Sequence, residues 1–422
     1  MRKDIAVVIL AAGKGERMKS GLPKVLHPLA GRPMLGYVLD LAESLKPKYK
    51  ICVLGHKSEA VAEYVRKRKQ KFGIVIQKRL LGSADAVKQA KSSLRNFRGT
   101  VLVLYADNPL IGLQTARKLI QLHRRLNADA TLLAATLEKP KGLGRIIRDT
   151  SNNICRIVEE VQANDYEKDI KEVNTGIACF EKGMLLRALN RVKLNPREKE
   201  YYLTDVIQIL YKQKALIKSL TLEDPQEATG INSQAELSKA EKIMQKRLLE
   251  ALMEKGVRIV DPDSTKVCWD TRIQRGTVVF PFTVIESNVK IGKACRIGPF
   301  CHLRENVIIR DNSAAGNFTE LSRTKLGEGT KALHFCYLGD ARLGRKVNIG
   351  AGTVTANFDG KKKSITAIGD NAFIGSNSTL IAPVKIGKRA VTGAGSVVTK
   401  NRNVPPGVTV AGVPAKPIKK VK

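Results

Sequence analysis

The second half of the chain contains the stretch Ile291-Gly-Lys-Ala-Cys-Arg-Ile297-Gly-Pro-Phe-Cys-His-Leu303, in which an apolar residue recurs every six positions. The register continues, with occasional shorter steps, through Ile309, Ala315, Leu321, Leu326, Ala332, Leu338, Leu343, Ile349 and Thr355, and then through Ile374, Leu380, Ile386, Thr392 and Val398. Glycine follows many of these residues and permits a tight corner after each short strand. This period predicts a left-handed parallel β-helix in which three hexads form one triangular coil.

One segment interrupts this register. Asn357-Phe-Asp-Gly-Lys-Lys-Lys-Ser364 has no residue at the expected apolar position. It is therefore predicted to loop out from a corner of the helix, and loops on a solenoid often carry its binding chemistry.

The first 230 residues follow a different pattern, in which short apolar runs alternate with amphipathic stretches. The runs Ile5–Leu10, Ile51–Leu54, Ile74–Gln77, Val101–Tyr105 and Ala130–Ala135 are predicted to be buried strands, and Met34–Ser44, Ser58–Arg68, Ala84–Ser93 and Thr115–Leu126 are predicted to be helices. This alternation is typical of a Rossmann-like α/β domain with a mostly parallel sheet. Ligands of such sheets bind beyond the carboxyl ends of the strands.

Apolar residues recur at helical spacing between the two patterns, from Ala235 to Lys255, with Gly256 at a plausible C-cap. We therefore expect three parts: an α/β domain over residues 1–229, a linker helix over 230–258 and the β-helix over 259–422.

The amino-acid composition excludes several classes of protein. A hydrophobic fraction of 43% with 27% charged residues is ordinary for a soluble protein, and no apolar run is long enough for a transmembrane helix or a signal peptide. The seven cysteines never form a Cys-x-x-Cys spacing, so neither zinc nor a disulfide framework is expected and the cytoplasm is the predicted location. Net charge is +35, which favours anionic ligands. Because this charge is spread along both halves and aromatics make up only 5%, nucleic acid is not the expected partner.

A glycine-rich segment directly follows the first predicted strand. It reads Leu10-Ala-Ala-Gly13-Lys-Gly15-Glu-Arg17-Met18, and Pro23-Lys24-Val-Leu-His27 follows it. Glycines let backbone N–H groups approach phosphate oxygens, and Lys14, Arg17 and Lys24 could share the charge of a triphosphate. The spacing matches neither the dinucleotide-binding nor the P-loop motif.

These motifs, with Tyr337-Leu-Gly-Asp340 and Val347-Asn-Ile-Gly-Ala-Gly-Thr353, resemble those of a known family. The chain is similar over nearly its whole length to the bifunctional N-acetylglucosamine-1-phosphate uridyltransferases / glucosamine-1-phosphate N-acetyltransferases. The resemblance implies two reactions. Acetyl-coenzyme A acetylates glucosamine 1-phosphate, and the N-acetylglucosamine 1-phosphate then attacks UTP with Mg²⁺ and releases pyrophosphate. It also implies a homotrimer formed through the β-helix.

The resemblance assigns roles in the first domain residue by residue. The nucleotide-binding residues it implies are Leu10, Ala11, Gly13, Lys24, Gln77, Gly82 and Ser83, with Arg17 and Lys24 neutralising phosphates as catalytic residues. It assigns the sugar phosphate to Gly144, Glu159 and Asn174, and Mg²⁺ to Asp107 and Asn232.

In the β-helix the resemblance makes His334 the catalytic base. It assigns the sugar phosphate to Arg304, Tyr337, Asn348 and Lys363, and acetyl-coenzyme A to Ala351, Asn357, Ser376 and Ala394. The chain departs from the family pattern at two positions: Ser322 stands where a phosphate-binding lysine is usual, with Arg323 beside it, and Phe358 replaces a tyrosine. The C-terminal arm is also short.

Other functions stay open at this stage. The chain could be a uridyltransferase alone, with a β-helix that trimerises, binds regulators or acetylates a different amino sugar. It could also be a transferase for another sugar or nucleotide, or a purely structural β-helix protein. In every case the expected partners are small molecules rather than a membrane.

Overall fold

The structure, a computed structural model, describes residues 4–418 and divides into two compact units, residues 1–242 and 243–422. The outer ends of the predicted first and last domains, residues 1–3 and 419–422, lie outside the described residues. Among the described residues, none of the helices is long and apolar enough to cross a membrane.

The first unit is built on a sheet of nine strands. Its strands, together with the hairpin β2–β3, are β1 (Asp4–Ala11), β2 (Pro28–Leu29), β3 (Arg32–Pro33), β4 (Tyr49–Leu54), β5 (Gly73–Ile76), β6 (Gly99–Tyr105), β7 (Ala130–Thr136), β8 (Arg145–Arg148), β9 (Ile154–Val158), β10 (Glu172–Glu181) and β11 (Ile217–Thr221). The spatial order is β11-β7-β10-β6-β1-β4-β5, with β8 paired to β10 and to β9. Only β10 runs antiparallel to its neighbours β6 and β7 along that path.

Helices accompany these strands. They are α1 (Met34–Ser44), α2 (Ser58–Arg66), α3 (Ser83–Gln89), α4 (Leu113–Arg125), α5 (Asp165–Lys168), α6 (Lys182–Leu189) and α7 (Asp205–Lys212), with 3₁₀ turns at Glu16–Met18, Lys24–Leu26 and Pro225–Ala228. The boundary between the two units falls within α8 (Gln234–Met253). The residues of the central strand β1 alternate between two hydrophobic clusters, one on each face of the sheet. Because both faces are covered, the strand is an unbroken apolar run.

The second unit is a parallel β-helix whose short strands stack into three sheets. Sheet A contains Arg258–Ile259, Val278–Val279, Arg296–Ile297, Ala314–Asn317, Lys331–His334, Asn348–Ile349, Phe373–Ile374, Val391–Thr392, Thr409–Ala411 and the antiparallel Lys416–Pro417. Sheet B contains Lys266–Val267, Val284–Ile285, His302–Leu303, Glu320–Ser322, Tyr337–Gly339, Val354–Ala356, Thr379–Ile381 and Val397–Val398. Sheet C contains Arg272–Ile273, Lys290–Ile291, Ile308–Ile309, Lys325–Leu326, Ala341–Leu343, Thr366–Ile368 and Val384–Ile386.

The interior of the β-helix combines apolar side chains with buried hydroxyl groups. The second residue of most strands points inward and is buried, as Ile297 and Leu303 are. Buried hydroxyls at the corners donate to the next coil, for example Thr277 to the carbonyl of Gly292 at 2.7 Å and Thr324 to that of Leu338 at 2.7 Å. These bonds satisfy carbonyl groups that the corners withdraw from solvent.

The predicted α/β domain and β-helix are both present, and the strands of the β-helix extend upstream of the hexad register traced from Ile291 to Val398. Its strands begin at Arg258, and Val267, Ile273, Val279 and Ile285 continue the six-residue step upstream of Ile291. The upstream hexads escaped the pattern because no glycine follows their inward residues.

Candidate active sites

A cavity of about 750 Å³ opens in the first unit beyond the carboxyl ends of β1, β5 and β6. Its walls include all ten residues that the sequence assigns to nucleotide, phosphate and metal: Leu10, Ala11, Gly13, Arg17, Lys24, Gln77, Gly82, Ser83, Asp107 and Asn232. The loop after each of these three strands thus reaches one site, as the parallel sheet predicts.

The glycine-rich loop brings a cation to the middle of this cavity. Gly15 has a φ of +69°, and a Cβ there would lie 2.5 Å from the Cβ of Lys24, so glycine allows the two segments to touch. The ammonium group of Lys24 donates to the carboxylate of Asp107 and to Oδ1 of Asn232, the latter at 2.6 Å. The Lys24 side chain is largely buried, at 11% exposure.

Backbone contacts fix the two oxygen groups that hold this cation. The N–H of Ile231 donates to the carbonyl of Asp107 at 2.9 Å, and the N–H of Asn232 donates to Glu236 at 2.6 Å. Within the described residues no cluster of three or more His, Cys, Asp or Glu could hold a metal. A carboxylate and an amide oxygen that already share one cation are, however, a suitable partial shell for Mg²⁺, which keeps water and phosphate as its other ligands.

Gln77 is buried directly after β5, and the NH₂ group of its side chain makes two hydrogen bonds. Its Nε2 donates to the carbonyl of Gly82 at 3.0 Å and to Asp85 at 2.8 Å. Both amide hydrogens are therefore occupied, and the carbonyl oxygen of the side chain is left as an acceptor.

Gly82 and Ser83 anchor a second loop against this wall. Gly82 has a φ of +94°, and the loop around Tyr201 passes so close that an added Cβ would lie 2.6 Å from the Tyr201 carbonyl oxygen. Tyr201 N–H donates to Leu81 at 2.7 Å, and Ala84 N–H donates to Tyr201 at 2.9 Å. The hydroxyl of Ser83 accepts from Leu203 N–H at 2.9 Å, so it has a structural partner in addition to its predicted role.

The three predicted sugar-binding residues lie together: Glu159 directly follows β9, Asn174 is on β10 and Gly144 is in the turn before β8. Asn174 N–H donates to the carbonyl of Gly144 at 2.8 Å, and a Cβ on Gly144 would lie 3.4 Å from Glu159. Glu159 accepts from the hydroxyl of Thr204 at 3.0 Å. Burial raises the pKa of Glu159, and Thr204 partly opposes that shift. Oδ1 of Asn174 is buried without a hydrogen-bond partner, which leaves it available for a ligand hydroxyl.

Several residues of this site were not predicted from the sequence. Tyr105, at the end of β6, lines both the large cavity and the small cleft beside Asn174. Burial raises the pKa of its phenol, so it is neutral and can donate. Its position at the end of a predicted buried strand, close to Asp107, could have identified it from the sequence. Glu198, Lys199 and Glu200 also line the cavity. They carry no such signal, because their loop follows neither a strand of the sheet nor a glycine motif.

The second candidate site lies on the β-helix, where His334 ends a strand of sheet A. His334 pairs in register with Asn317 of the preceding coil, and its side chain is exposed. Among the described residues the imidazole has no hydrogen-bond partner, so neither ring nitrogen is committed. Tyr337 begins the next strand, on sheet B.

The predicted acetyl-coenzyme A residues form a column. Ile349, Ile374 and Thr392 pair in register on successive coils, and Ala351, Ser376 and Ala394 each follow two residues later. Backbone N–H groups at the same corner link these coils: Asn377 donates to Ala351 at 2.6 Å, and Gly395 donates to Ser376 at 2.8 Å. Asn357 stands apart from this column.

Asn357 instead anchors the inserted segment. It is buried at 7% exposure, and its amide donates to Asp340 at 2.5 Å. Arg323 binds the same carboxylate through two nitrogens, at 2.7 and 2.9 Å. The Arg323 guanidinium lowers the pKa of Asp340, and Asn357 and nearby Lys363 contribute. The segment forms a hairpin in which Phe358 bridges Lys363, so this network positions Lys363.

The structure shows where the residues that depart from the family pattern lie and what they contact. Ser322 is 1% exposed and cannot reach a ligand on the surface. Arg323 projects outward but is paired with Asp340. Arg304 is also exposed, and its guanidinium lies 3.3 Å from Glu320.

The first unit combines an α/β sheet with a cavity large enough for a nucleoside triphosphate. The second is a hexad β-helix with an exposed histidine whose ring nitrogens are available for proton transfer. Together these features indicate a transferase with two active sites. A family model described as nucleotidyl transferase matches residues 6–225, and one described as hexapeptide repeat of succinyl-transferase matches residues 365–400. The chain belongs to the family of bifunctional GlmU proteins.

Three relatives called "Bifunctional protein GlmU" illustrate this membership. The protein from Pelotomaculum thermopropionicum is 43% identical over 417 residues, which cover 90% of each chain. The protein from Desulfitobacterium hafniense is 40% identical over 429 residues and 94% of each chain. The protein from Listeria monocytogenes serotype 4a is 40% identical over 434 residues, or 95% of this chain and 94% of the relative. The predicted family, fold class and bifunctional transferase activity are thereby confirmed.

Proposed function

We propose that the first unit transfers the uridylyl group of UTP to N-acetylglucosamine 1-phosphate and releases pyrophosphate. The observation that carries this proposal is the Lys24 ammonium group held between Asp107 and Asn232, in a cavity bounded by the glycine-rich loop. We propose further that the second unit makes the sugar phosphate by acetylating glucosamine 1-phosphate with acetyl-coenzyme A.

Gln77 supplies base selection. With both amide hydrogens engaged by Gly82 and Asp85, it presents only an oxygen acceptor to the base. Uracil offers a ring N–H donor at this edge, whereas cytosine has an unprotonated ring nitrogen there. A buried acceptor facing that nitrogen is left without a partner, which disfavours cytidine triphosphate.

Transfer itself needs positioning and charge neutralisation rather than a covalent enzyme intermediate. A phosphate oxygen of the sugar phosphate attacks the α-phosphorus, and the bond to the β-phosphate oxygen breaks. Arg17 and Lys24 neutralise the phosphate charge that shifts toward the leaving pyrophosphate. Asp107 and Asn232 would hold Mg²⁺, which supplies further neutralisation of the phosphates when bound.

Polar groups around the small cleft support binding of the acceptor sugar at the edge of the cavity, since the cleft itself, at about 10 Å³, is too small to hold a sugar. The unpartnered Oδ1 of Asn174 accepts from a sugar hydroxyl, and the neutral phenol of Tyr105 adds a donor between the cleft and the cavity. Glu159, held by Thr204, accepts a second hydroxyl. Aligned by these contacts, the phosphate of the sugar is aimed at the α-phosphorus.

His334 is the proposed base of the acetyl transfer. The amine of glucosamine 1-phosphate attacks the thioester carbonyl, its proton passes to the imidazole, and the coenzyme A thiolate leaves and takes up a proton. Tyr337, Asn348, Arg304 and Lys363 bind the acceptor, and the column of Ala351, Ser376 and Ala394 lines the coenzyme. Asn357, also a proposed coenzyme contact, holds the hairpin through Asp340.

A second candidate keeps the uridyltransferase and makes the β-helix a scaffold, or a catalyst for another amino sugar. The buried serine at position 322, where a lysine is usual, and the pairing of Arg323 with Asp340 favour it, because neither residue then offers a free cation to the acceptor phosphate.

The deciding experiment supplies the purified full chain with glucosamine 1-phosphate, acetyl-coenzyme A, UTP and Mg²⁺, and follows thiol release and UDP-sugar mass. We expect both products, loss of thiol release alone in His334→Ala, and loss of uridylyl transfer alone in Asp107→Asn. If UDP-N-acetylglucosamine forms only from added N-acetylglucosamine 1-phosphate, the scaffold alternative holds. Formation of neither product contradicts both.

We also propose a homotrimer located in the cytoplasm, where UTP and acetyl-coenzyme A are available. The hexapeptide-repeat match supports an oligomer. Sedimentation equilibrium of the purified chain tests this directly, because a trimer has three times the chain mass.

A further inference from the structure

Sheet C of the β-helix carries a straight row of cations on its outer surface. The first residue of each two-residue strand and the middle residue of each three-residue strand point outward, and these positions pair in register from coil to coil. Five of the seven strands place a cation there: Arg272, Lys290, Lys325, Arg342 and Lys385. In the sequence these residues are 17 or more positions apart, so the row exists only after the coils stack.

The row is specific to this sheet. Among the strand residues paired in the same way, sheet A has a cation on three of nine parallel strands (Arg258, Arg296 and Lys331), and sheet B has only Lys266 on eight. The outward strand positions of sheet C therefore carry more cations than those of either other sheet, which a linear reading of the sequence does not reveal.

These cations are also free to bind a ligand. All five side chains are exposed, and within residues 4–418 none of them makes a side-chain hydrogen bond or an ion pair. Three acids also line the grooves beside the row: Asp311, which accepts from the N–H of Lys293 at 2.9 Å, Asp370, which pairs with Arg345, and Glu328. Arg310 and Arg345 line the same grooves, so cations outnumber carboxylates along the row and its potential stays positive.

Two shallow grooves, of about 350 and 400 Å³, follow the row. The first is lined by Arg272 and Lys290 and the second by Lys325, and Arg310 and Asp311 line both. Arg342 and Lys385 line neither groove.

We propose that sheet C is a binding surface for the phosphate backbone of nucleic acid. Strands stack at about 4.8 Å, so six steps from Arg272 to Lys385 extend over about 29 Å. A straight row of unpaired cations of this length matches a linear polyanion. The two outward positions without a cation are Ile308 and Ala367, so no aromatic side chain is present to stack on bases. Binding should therefore be independent of base sequence.

A membrane surface fits the same row less well. Peripheral membrane binding normally combines cations with apolar side chains that enter the lipid. On this row only Ile308 is large and apolar, and it is half-buried. Binding to nucleic acid does not depend on either proposed reaction.

The test measures binding of the full chain to fluorescently labelled 30-nucleotide RNA, single-stranded DNA and duplex DNA by anisotropy at several salt concentrations. The variant carries Lys290→Gln, Lys325→Gln and Arg342→Gln. The matched control carries Arg258→Gln, Lys266→Gln and Lys416→Gln, which remove the same charge from the other two sheets. With about five phosphates neutralised, affinity for a single strand should fall about 130-fold between 50 and 200 mM salt. With about two left in the variant, it should fall only about 7-fold.

We expect the variant to bind more weakly than the control at low salt, while both retain wild-type uridylyl transfer and thiol release. Comparison of RNA with DNA identifies which nucleic acid binds more tightly. Equal weakening in variant and control would overturn the proposal, because net charge alone would then explain binding. Absence of binding at 50 mM salt overturns it too, as does a preference for phosphatidylglycerol vesicles over every nucleic acid.

Discussion

Gly82→Ala should strongly reduce the rate of uridylyl transfer while leaving the β-helix intact. The backbone at Gly82 has a φ of +94° and a ψ of 180°, a region that is essentially restricted to glycine. A Cβ there would lie 2.6 Å from the carbonyl oxygen and 2.9 Å from the nitrogen of Tyr201. Both are backbone atoms, so no side-chain rotation relieves the overlap.

The magnitude follows from the two ways in which the chain can respond. Backbone strain costs about 1–3 kcal/mol in either case. If the loop around Tyr201 moves away, its hydrogen bonds to Leu81 and Ala84 are lost, at about 1 kcal/mol each. The loop then no longer closes the cavity at Glu198 to Glu200. If about 2–3 kcal/mol of this penalty falls on the closed, UTP-binding form, kcat/KM for UTP should decrease about 30- to 150-fold.

Steady-state pyrophosphate release and hydrogen exchange test this together. The exchange of the Tyr201 and Ala84 amides should accelerate, since these are the donors that the substitution releases. Gly407→Ala is the matched control, because Gly407 has a φ of +70° but has no atom within 4 Å of the added Cβ. Thiol release should be unchanged in both variants. The reasoning is refuted if Gly82→Ala keeps kcat/KM within threefold of the control and its Tyr201 amide stays protected.

Three further substitutions have expected outcomes. Lys24→Met removes the ammonium between Asp107 and Asn232, so uridylyl transfer should fall about 10²- to 10³-fold in pyrophosphate-release assays with thiol release unchanged. Leu303→Ala empties a fully buried position of the β-helix and should destabilise it by about 2–5 kcal/mol in urea unfolding; a loss below 1 kcal/mol would contradict the packing. Arg323→Ala removes the cation that lowers the pKa of Asp340. That lowered pKa stabilises the fold above the unfolded value near 3.9 and is lost as pH falls through the folded value. The variant should therefore be less stable than wild type at pH 7, and the difference should shrink below about pH 4 in pH-dependent unfolding.

The period of the apolar residues predicted the architecture well, because in both halves each buried strand shows in its own short sequence which of its residues enter the core. A hexad register such as Ile297 to Leu303 determines which side chain enters the coil, and the run from Ile5 to Leu10 determines the central strand. The same reasoning missed β8, β9, β10 and β11: β8 and β9 form an antiparallel hairpin, β10 pairs antiparallel with β6 and β7, and β11 pairs with the distant β7. The apolar pattern of one segment does not show which other strand that segment pairs with.

Site residues divide in the same way. Loops directly after strands converge at one edge of the sheet, so Gly13, Gln77 and Asp107 could be grouped in advance. Glu198 to Glu200 reach that edge only because the Tyr201 backbone pairs with Leu81, a contact between segments about 120 residues apart. The contact depends on Gly82, whose missing side chain is visible in the sequence but whose neighbour is not.

The proposed acceptor site of the β-helix shows how neighbouring residues respond to a substitution, here serine in place of the usual lysine at position 322. With Ser322 buried, the adjacent Arg323 is the nearest guanidinium, but its two bonds to Asp340 satisfy it. The same carboxylate receives the Asn357 amide, and Asn357 is the first residue of the hairpin that ends beyond Lys363. Arg323 therefore contributes to the acceptor site by ordering the hairpin, and the positive charge offered to a sugar phosphate comes from Lys363 itself. On this basis Lys363→Ala should raise KM for glucosamine 1-phosphate with little change in thermal stability, whereas Arg323→Ala should change both.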